Sequence, residues 1–146
     1  MNITSPAFEN SAPMPSKYTC DGEDISPPLH ISGVHPDAKS LILIVDDPDA
    51  PGGTWVHWVV WNIHPSISDV AEGSVPEGGI EGRTSFGRGG YGGPCPPRGM
   101  HRYFFKIYEL DIVLNIPLTS EVDDVEEAMK GHVLADAKLM GTYSRD

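Results

Sequence analysis

The chain is short of basic side chains, of cysteine and of long apolar runs, and each shortage excludes a class of protein. Ten Lys and Arg stand against 21 Asp and Glu, a formal charge of −11 over 146 residues. Sequence-independent binding to DNA or RNA needs a positive surface to displace counterions, so nucleic acid is excluded as a partner. A small anion is not, because a local pocket need not share the overall charge. The densest apolar run, Leu41-Ile42-Leu43-Ile44-Val45, is five residues, whereas a membrane-spanning helix needs about 20. The start, Met1-Asn2-Ile3-Thr4-Ser5-Pro6, has neither a basic region nor an apolar signal core, which points to the cytoplasm. The two cysteines, Cys20 and Cys95, belong to no CxxC pair, so zinc and thioredoxin-type motifs have no support. Two free thiols are the default in the cytoplasm, with a disulfide as the alternative. A GxSxG nucleophile turn and a P-loop are both missing.

What is present is breakers and apolar segments. Sixteen glycines and 14 prolines favour short strands and turns over long helices. Hydrophobic residues make up 39%, enough for a globular core, and the length suits a single domain over residues 1–146. Strands are predicted at Leu29–Ser32, Ser40–Val45, Thr54–Ile63 and Arg102–Leu110. The second to fourth carry apolar groups on both faces, as central strands do. One helix is predicted near 121–130, with Ser120 as its cap, Glu121 and Asp123 in its first turn and Gly131 as its stop. From Val133 to Met140 a period of two favours another strand. The fold class is mainly β, with long loops at 18–28, 46–53 and 87–100 that have too much character to be plain connectors.

Two blocks could carry chemistry. In the first, Asp46-Asp47-Pro48-Asp49-Ala50-Pro51 follows a buried strand, and the prolines stiffen the turn. Trp55 and His57 then share one face of the next strand, where an aspartate could pair with the imidazole. In the second, the glycine-rich run 87–93 leads through Pro94-Cys95-Pro96-Pro97 to His101 and Tyr103, again on one strand face. Free glycine amides there would form an anion nest. Taken singly, each of these residues reads equally well as part of a turn or a core.

Together the two blocks resemble the signatures of the phosphatidylethanolamine-binding family. Asp47-Pro48-Asp49-Ala50-Pro51 with Trp55-Val56-His57 matches the first, and Gly93-Pro94 through His101-Arg102-Tyr103 is similar to the second. Tyr18 to Leu29 and His132 to Tyr143 resemble the bacterial and archaeal, Raf-kinase-inhibitor-like branch. The resemblance implies a large central β-sheet, a smaller second sheet and one or two short peripheral helices. It also implies a ligand pocket at Asp47, Asp49, Trp55, His57, Gly93, Pro94, His101 and Tyr103, holding phosphate, acetate or a phospholipid head group. No cofactor or metal is implied, and relatives that pair suggest a homodimer. The Cys20 loop resembles a neighbour of that pocket, which gives a Cys20–Cys95 bridge a motive. Eukaryotic members carry a further C-terminal segment at the pocket mouth, and the loop here takes the longer Cys95-Pro96-Pro97 form, so their specificity does not transfer.

The leading functional expectation is non-enzymatic, regulatory binding of a small anionic or phosphorylated ligand. The alternative is a protein-interaction inhibitor of a protease or kinase. A hydrolase ranks below both, since no nucleophile motif accompanies the acids and histidines.

Overall fold

Among the described residues glycine and proline cut the chain into eight strands, one α-helix and a short 3-10 turn at Ser16–Tyr18. The structure is a computed structural model that describes residues 1–145. Its strands are β1 (Asn2–Thr4), β2 (Leu29–Ser32), β3 (Ser40–Asp47), β4 (Trp55–Ile63), β5 (Asp69–Val70), β6 (Ile80–Glu81), β7 (Gly99–Leu110) and, after the helix α1 (Val122–Met129), β8 (Val133–Arg145). Two antiparallel sheets result: three strands in the order β1-β2-β5, and five in the order β6-β4-β3-β7-β8. The expected mainly β fold, with a large and a smaller sheet, is what the chain adopts. Among the described residues no helix is long and apolar enough to cross a membrane.

The apolar run of β3 is buried along its length because β3 lies at the centre of the larger sheet, with cores on both sides. Alternate residues serve the two cores. Leu41, Leu43 and Val45 face the smaller sheet, packing with Trp58, Val60, Phe105 and Ile107 and with Ile3, Leu29 and Ile31. Ile42 and Ile44 face the other way, with Val59, Trp61 and the Val125 and Met129 side chains of α1. Each such fully buried side chain contributes about 1.5–3 kcal/mol relative to exposure.

The helix departs from expectation at its start. Glu121, not Ser120, is the N-cap: its side chain accepts from the backbone of Asp124, and Asp124 Oδ2 accepts the Glu121 N–H at 2.9 Å. Ser120 is spent elsewhere, its N–H on Pro117 O and its carbonyl on the Arg83 N–H. That reciprocal capping box places the first turn one residue later. Gly131, at φ +80°, follows the last turn as predicted.

Candidate functional site

Neighbouring residues of a strand point to opposite faces, and this separates the two acids that end β3. Asp46 turns to the helix side, where Lys106 Nζ stands 2.9 Å from its Oδ2. Asp47 turns to the side of the smaller sheet and is 3% exposed. Only Asp47 reaches the site.

A β-bulge sets the next member. Val45 pairs with Trp58 and Asp46 with Val56, so His57 has no residue opposite it on β3. An extra residue of this kind re-aims side chains: His57 and Trp58 both turn to the same side of the sheet, His57 into a cavity and Trp58 into the core. On β7 the strand period brings His101 and Tyr103 to that cavity. The rings of His101 and Tyr103 are near-parallel with centroids 6.4 Å apart, and Tyr103 meets His57 edge-on at 5.3 Å.

The cavity measures about 280 Å³, which suits a small ligand. Asp47, His57, His101 and Tyr103 give it polar groups. Trp55, Phe86, Ala50 and Pro51 add apolar walls, and Cys95-Pro96-Pro97 completes the lining. Trp55 and Phe86 pack edge to face, their centroids 5.5 Å apart. Phe86 fits against Gly92 because a Cβ there would strike its ring.

The polar atoms of the site are unequally committed. His57 Nδ1 donates to Gly92 O at 2.7 Å, and the Gly92 N–H donates to His57 O at 3.0 Å, which pins the glycine-rich loop to β4. His101 Nδ1 contacts Asp47 Oδ2 at 2.7 Å, while Asp47 Oδ1 accepts the Asp49 N–H at 2.7 Å. Each imidazole therefore keeps Nε2 for a ligand. The Tyr103 hydroxyl is buried and has no hydrogen-bond partner among the described residues. Burial pushes its pKa up, with the Asp47 and Asp49 charges adding to the effect, so it stays a protonated donor. Burial also pushes the His57 pKa below its usual 6.5, against the pull of the Gly92 carbonyl and of Asp47.

The expected Asp–His pair exists, with a different partner: Asp47 holds His101 across the β3–β7 ladder, while His57 is held by a backbone carbonyl. Of the eight residues implied by the resemblance, Asp47, Trp55, His57, His101 and Tyr103 line the cavity. Asp49, Gly93 and Pro94 do not. The Asp49 carboxylate is bound by Arg102 through its backbone N–H, Nε and Nη2, at 3.0, 2.9 and 2.8 Å. The Gly93 N–H donates to Asp24 Oδ1 at 2.8 Å, and Pro94 O accepts the Cys20 N–H at 3.1 Å. The Gly92 and Gly93 amides are thus turned into the protein, so the glycine run is a brace for the wall and its expected nest is not formed by them. A Cβ on Gly93 would collide with the Tyr18 carbonyl and lie 2.5 Å from Asp24 Oδ1.

That brace explains the cysteines. The Cys20 and Pro94 backbones meet, and Cys20 and Cys95 form a disulfide with Cα atoms 5.5 Å apart. The default of two free thiols is replaced by the alternative. Phe86 and the Pro96-Pro97 pair were not read as wall residues; an isolated aromatic just ahead of a glycine run is the signal for Phe86. Among the described residues no three His, Cys, Asp or Glu side chains are placed to hold a metal ion.

Comparison with known proteins gives this geometry a family. A protein of Methanothermobacter thermautotrophicus, named only UPF0098 protein, is 51% identical over 150 residues, covering 99% of both chains. A UPF0098 protein of Chlamydia trachomatis is 46% identical with full coverage of both. A crystal structure from Chlamydia trachomatis, described as a putative phosphatidylethanolamine-binding protein homologue, superposes with a TM-score of 0.95 at 46% identity, covering 99% of this chain and 97% of that one. Escherichia coli YbcL, described as a new member of the mammalian PEBP family, gives 0.91 at 30% identity, covering 99% and 98%. The family description "phosphatidylethanolamine-binding protein" matches residues 4–144, a span that contains every residue of the cavity. With its two sheets, its cavity and nearly its whole length accounted for, the chain belongs to the phosphatidylethanolamine-binding protein family.

Proposed function

We propose that the cavity binds a small anionic or phosphorylated ligand, such as phosphate or a phospholipid head group, and that the protein acts by binding and not by catalysis. One observation carries this reading: two imidazoles line the same cavity with Nδ1 committed to the protein, His57 to Gly92 O and His101 to Asp47, which leaves both Nε2 atoms for a ligand. The cavity's one sulfur is locked in the disulfide, which takes away the candidate thiol nucleophile. The name of the family supports a phosphorylated ligand. Isothermal titration with inorganic phosphate and with phosphoethanolamine tests the reading. Micromolar to millimolar binding that His57→Ala and His101→Ala both weaken is expected. No heat at millimolar ligand, or binding that both substitutions leave unchanged, would count decisively against it.

A second reading, an inhibitor of a protease or kinase, is favoured by the rim. Trp55 and Phe86 are 38% and 39% exposed and stiffened by their mutual contact, and such aromatics suit a protein interface. Inhibition across a protease and kinase panel that survives His57→Ala but is lost in Trp55→Ala would support it.

A further inference from the structure

We infer that the cavity mouth docks on an anionic lipid bilayer, so that the cavity meets a phospholipid head group while the acyl chains stay in the membrane. This rests on the head-group reading above and extends it to how the lipid is reached.

Size comes first. A cavity of about 280 Å³ holds a head group but not two acyl chains. Drawing a lipid out of its bilayer would leave those chains in water, which the hydrophobic effect opposes. The protein therefore comes to the bilayer, mouth first.

The rim is built for that contact. Trp55 and Phe86 are 38% and 39% exposed, and the exposed Pro51 and Pro97 line the same opening. Aromatic rings at the edge of an apolar surface settle at the level of lipid head groups. The Arg88 guanidinium lies 5.4 Å from the centre of the Phe86 ring, so a cation sits directly on the apolar edge. Arg98 is exposed one residue past the Pro96-Pro97 wall.

Charge selects the kind of membrane. A formal charge of −11 would repel an anionic surface if it were evenly spread. It is not. Between Glu81 and Glu109 the chain has no acidic residue, yet five of its ten basic ones lie there: Arg83, Arg88, Arg98, Arg102 and Lys106. The acids of the opening are already engaged, Asp47 by His101 and Asp49 by Arg102. A cluster of carboxylates, Asp123, Asp124, Glu126 and Glu127, belongs to α1, which packs on the sheet face away from the cavity. Screening limits attraction to charges within a Debye length of the surface, about 8 Å at physiological salt. The charges nearest the bilayer therefore decide, and each arginine there strengthens docking about fivefold.

The test is co-sedimentation with vesicles of phosphatidylcholine alone and of an equal mixture of phosphatidylcholine and phosphatidylglycerol. Binding to the mixture is expected to be at least tenfold tighter than to phosphatidylcholine, and to weaken as salt is raised. Tryptophan emission identifies the docking face, because Trp58 and Trp61 are 1% and 0% exposed and only Trp55 can respond. Its emission is expected to move to the blue on the mixed vesicles. The double variant Arg88→Glu, Arg98→Glu is expected to lose at least tenfold in vesicle affinity, while titration with phosphoethanolamine changes less than threefold and shows the variant to be folded. Equal affinity for the two vesicles, bound protein with unmoved emission, or a double variant within threefold of the wild type would each overturn the inference. If phosphoethanolamine binds and neither vesicle does, the inference fails while the cavity reading stands; if none of the three binds, the cavity reading itself fails. Absent vesicle binding combined with protease or kinase inhibition that Trp55→Ala abolishes would overturn it in favour of a protein partner at the rim.

Discussion

His101 Nδ1 stands 2.7 Å from Asp47 Oδ2, a contact between the neighbouring strands β7 and β3 in which both side chains are buried. The other Asp47 oxygen holds the Asp49 N–H, and Asp49 in turn holds Arg102, the next residue along β7. The stiff Asp-Pro-Asp-Ala-Pro turn is therefore fastened to β7 at two successive residues, one inside the cavity and one on its outer face. The imidazole is aimed by the turn rather than by its own strand alone.

Asp47→Ala tests that fastening. It leaves the His101 Nδ1–H and the Asp49 N–H without acceptors, each worth about 1–3 kcal/mol when stranded. A loss of about 2–4 kcal/mol in urea unfolding is expected, with phosphate affinity at least tenfold weaker. Unchanged stability would mean that the turn is held by Asp49 and Arg102 alone.

Tyr103→Phe tests the buried hydroxyl through stability. The hydroxyl makes no hydrogen bond among the described residues, so its removal takes away a buried group that costs free energy. The variant is expected to be as stable as the wild type or up to about 1 kcal/mol more so, with phosphate affinity changed less than threefold, because the hydroxyl has almost no surface toward the cavity. A clear fall in unfolding midpoint would show the hydroxyl to have a structural partner.

Acid stability follows from two groups. The His57 pKa is lowered below 6.5 in the folded protein, chiefly by burial, so the unfolded chain binds the proton first. Its contribution is full above pH 6.5 and is lost as the pH falls through that value toward the folded pKa. The hydrogen bonds from Arg102 lower the Asp49 carboxyl from 3.8 to about 2, so its contribution is present above 3.8 and lost between there and about 2. Urea midpoints measured across this range are expected to fall in two stages. His57→Gln flattens the upper stage and Asp49→Asn the lower one. A wild-type curve with no decline between pH 7 and 5, on the order of one pH unit either side of the histidine range, would contradict the first assignment.

Much of this was legible because the signals are long. β3 declares itself through its five-residue apolar run, β4 and β7 through stretches of nine and twelve residues with apolar groups on both faces, and β8 through its alternation. β5 and β6 are two residues each, too short to show a period. The cavity residues were readable because the strand period places Trp55 with His57 and His101 with Tyr103. What pairs with what was not, since strand order is a property of the sheet. The sequence places Asp47 ten residues from His57 and 54 from His101, yet the ladder joins β3 to β7 there and a bulge turns His57 to Gly92. The direction of the glycine amides was hidden for the same reason: Asp24, their acceptor at Gly93, comes from a distant loop in left-handed backbone, at φ +58°.

The disulfide yields the last prediction. Cys20 and Cys95 are 75 residues apart, and the bridge joins the Tyr18–Pro28 loop to the cavity wall beside Pro96 and Pro97. Closing a loop of that length removes enough unfolded-chain entropy to stabilise by about 4 kcal/mol in the chain-entropy account. Other links span the same junction without it: Tyr91 Oη donates to Tyr18 O at 2.8 Å, the Gly93 N–H to Asp24, and Tyr143 Oη to Asp21. These hold the folded wall in place after reduction, so the loss falls on stability and not on the cavity. The double variant Cys20→Ser, Cys95→Ser is expected to unfold about 2–4 kcal/mol more easily, with phosphate affinity changed less than threefold. Alkylation of unreduced protein should modify neither cysteine. Two alkylated cysteines without reductant would remove the bridge, and a tenfold loss of phosphate binding in the double variant would show that the bridge, not the hydrogen bonds behind Gly93, keeps the wall in position.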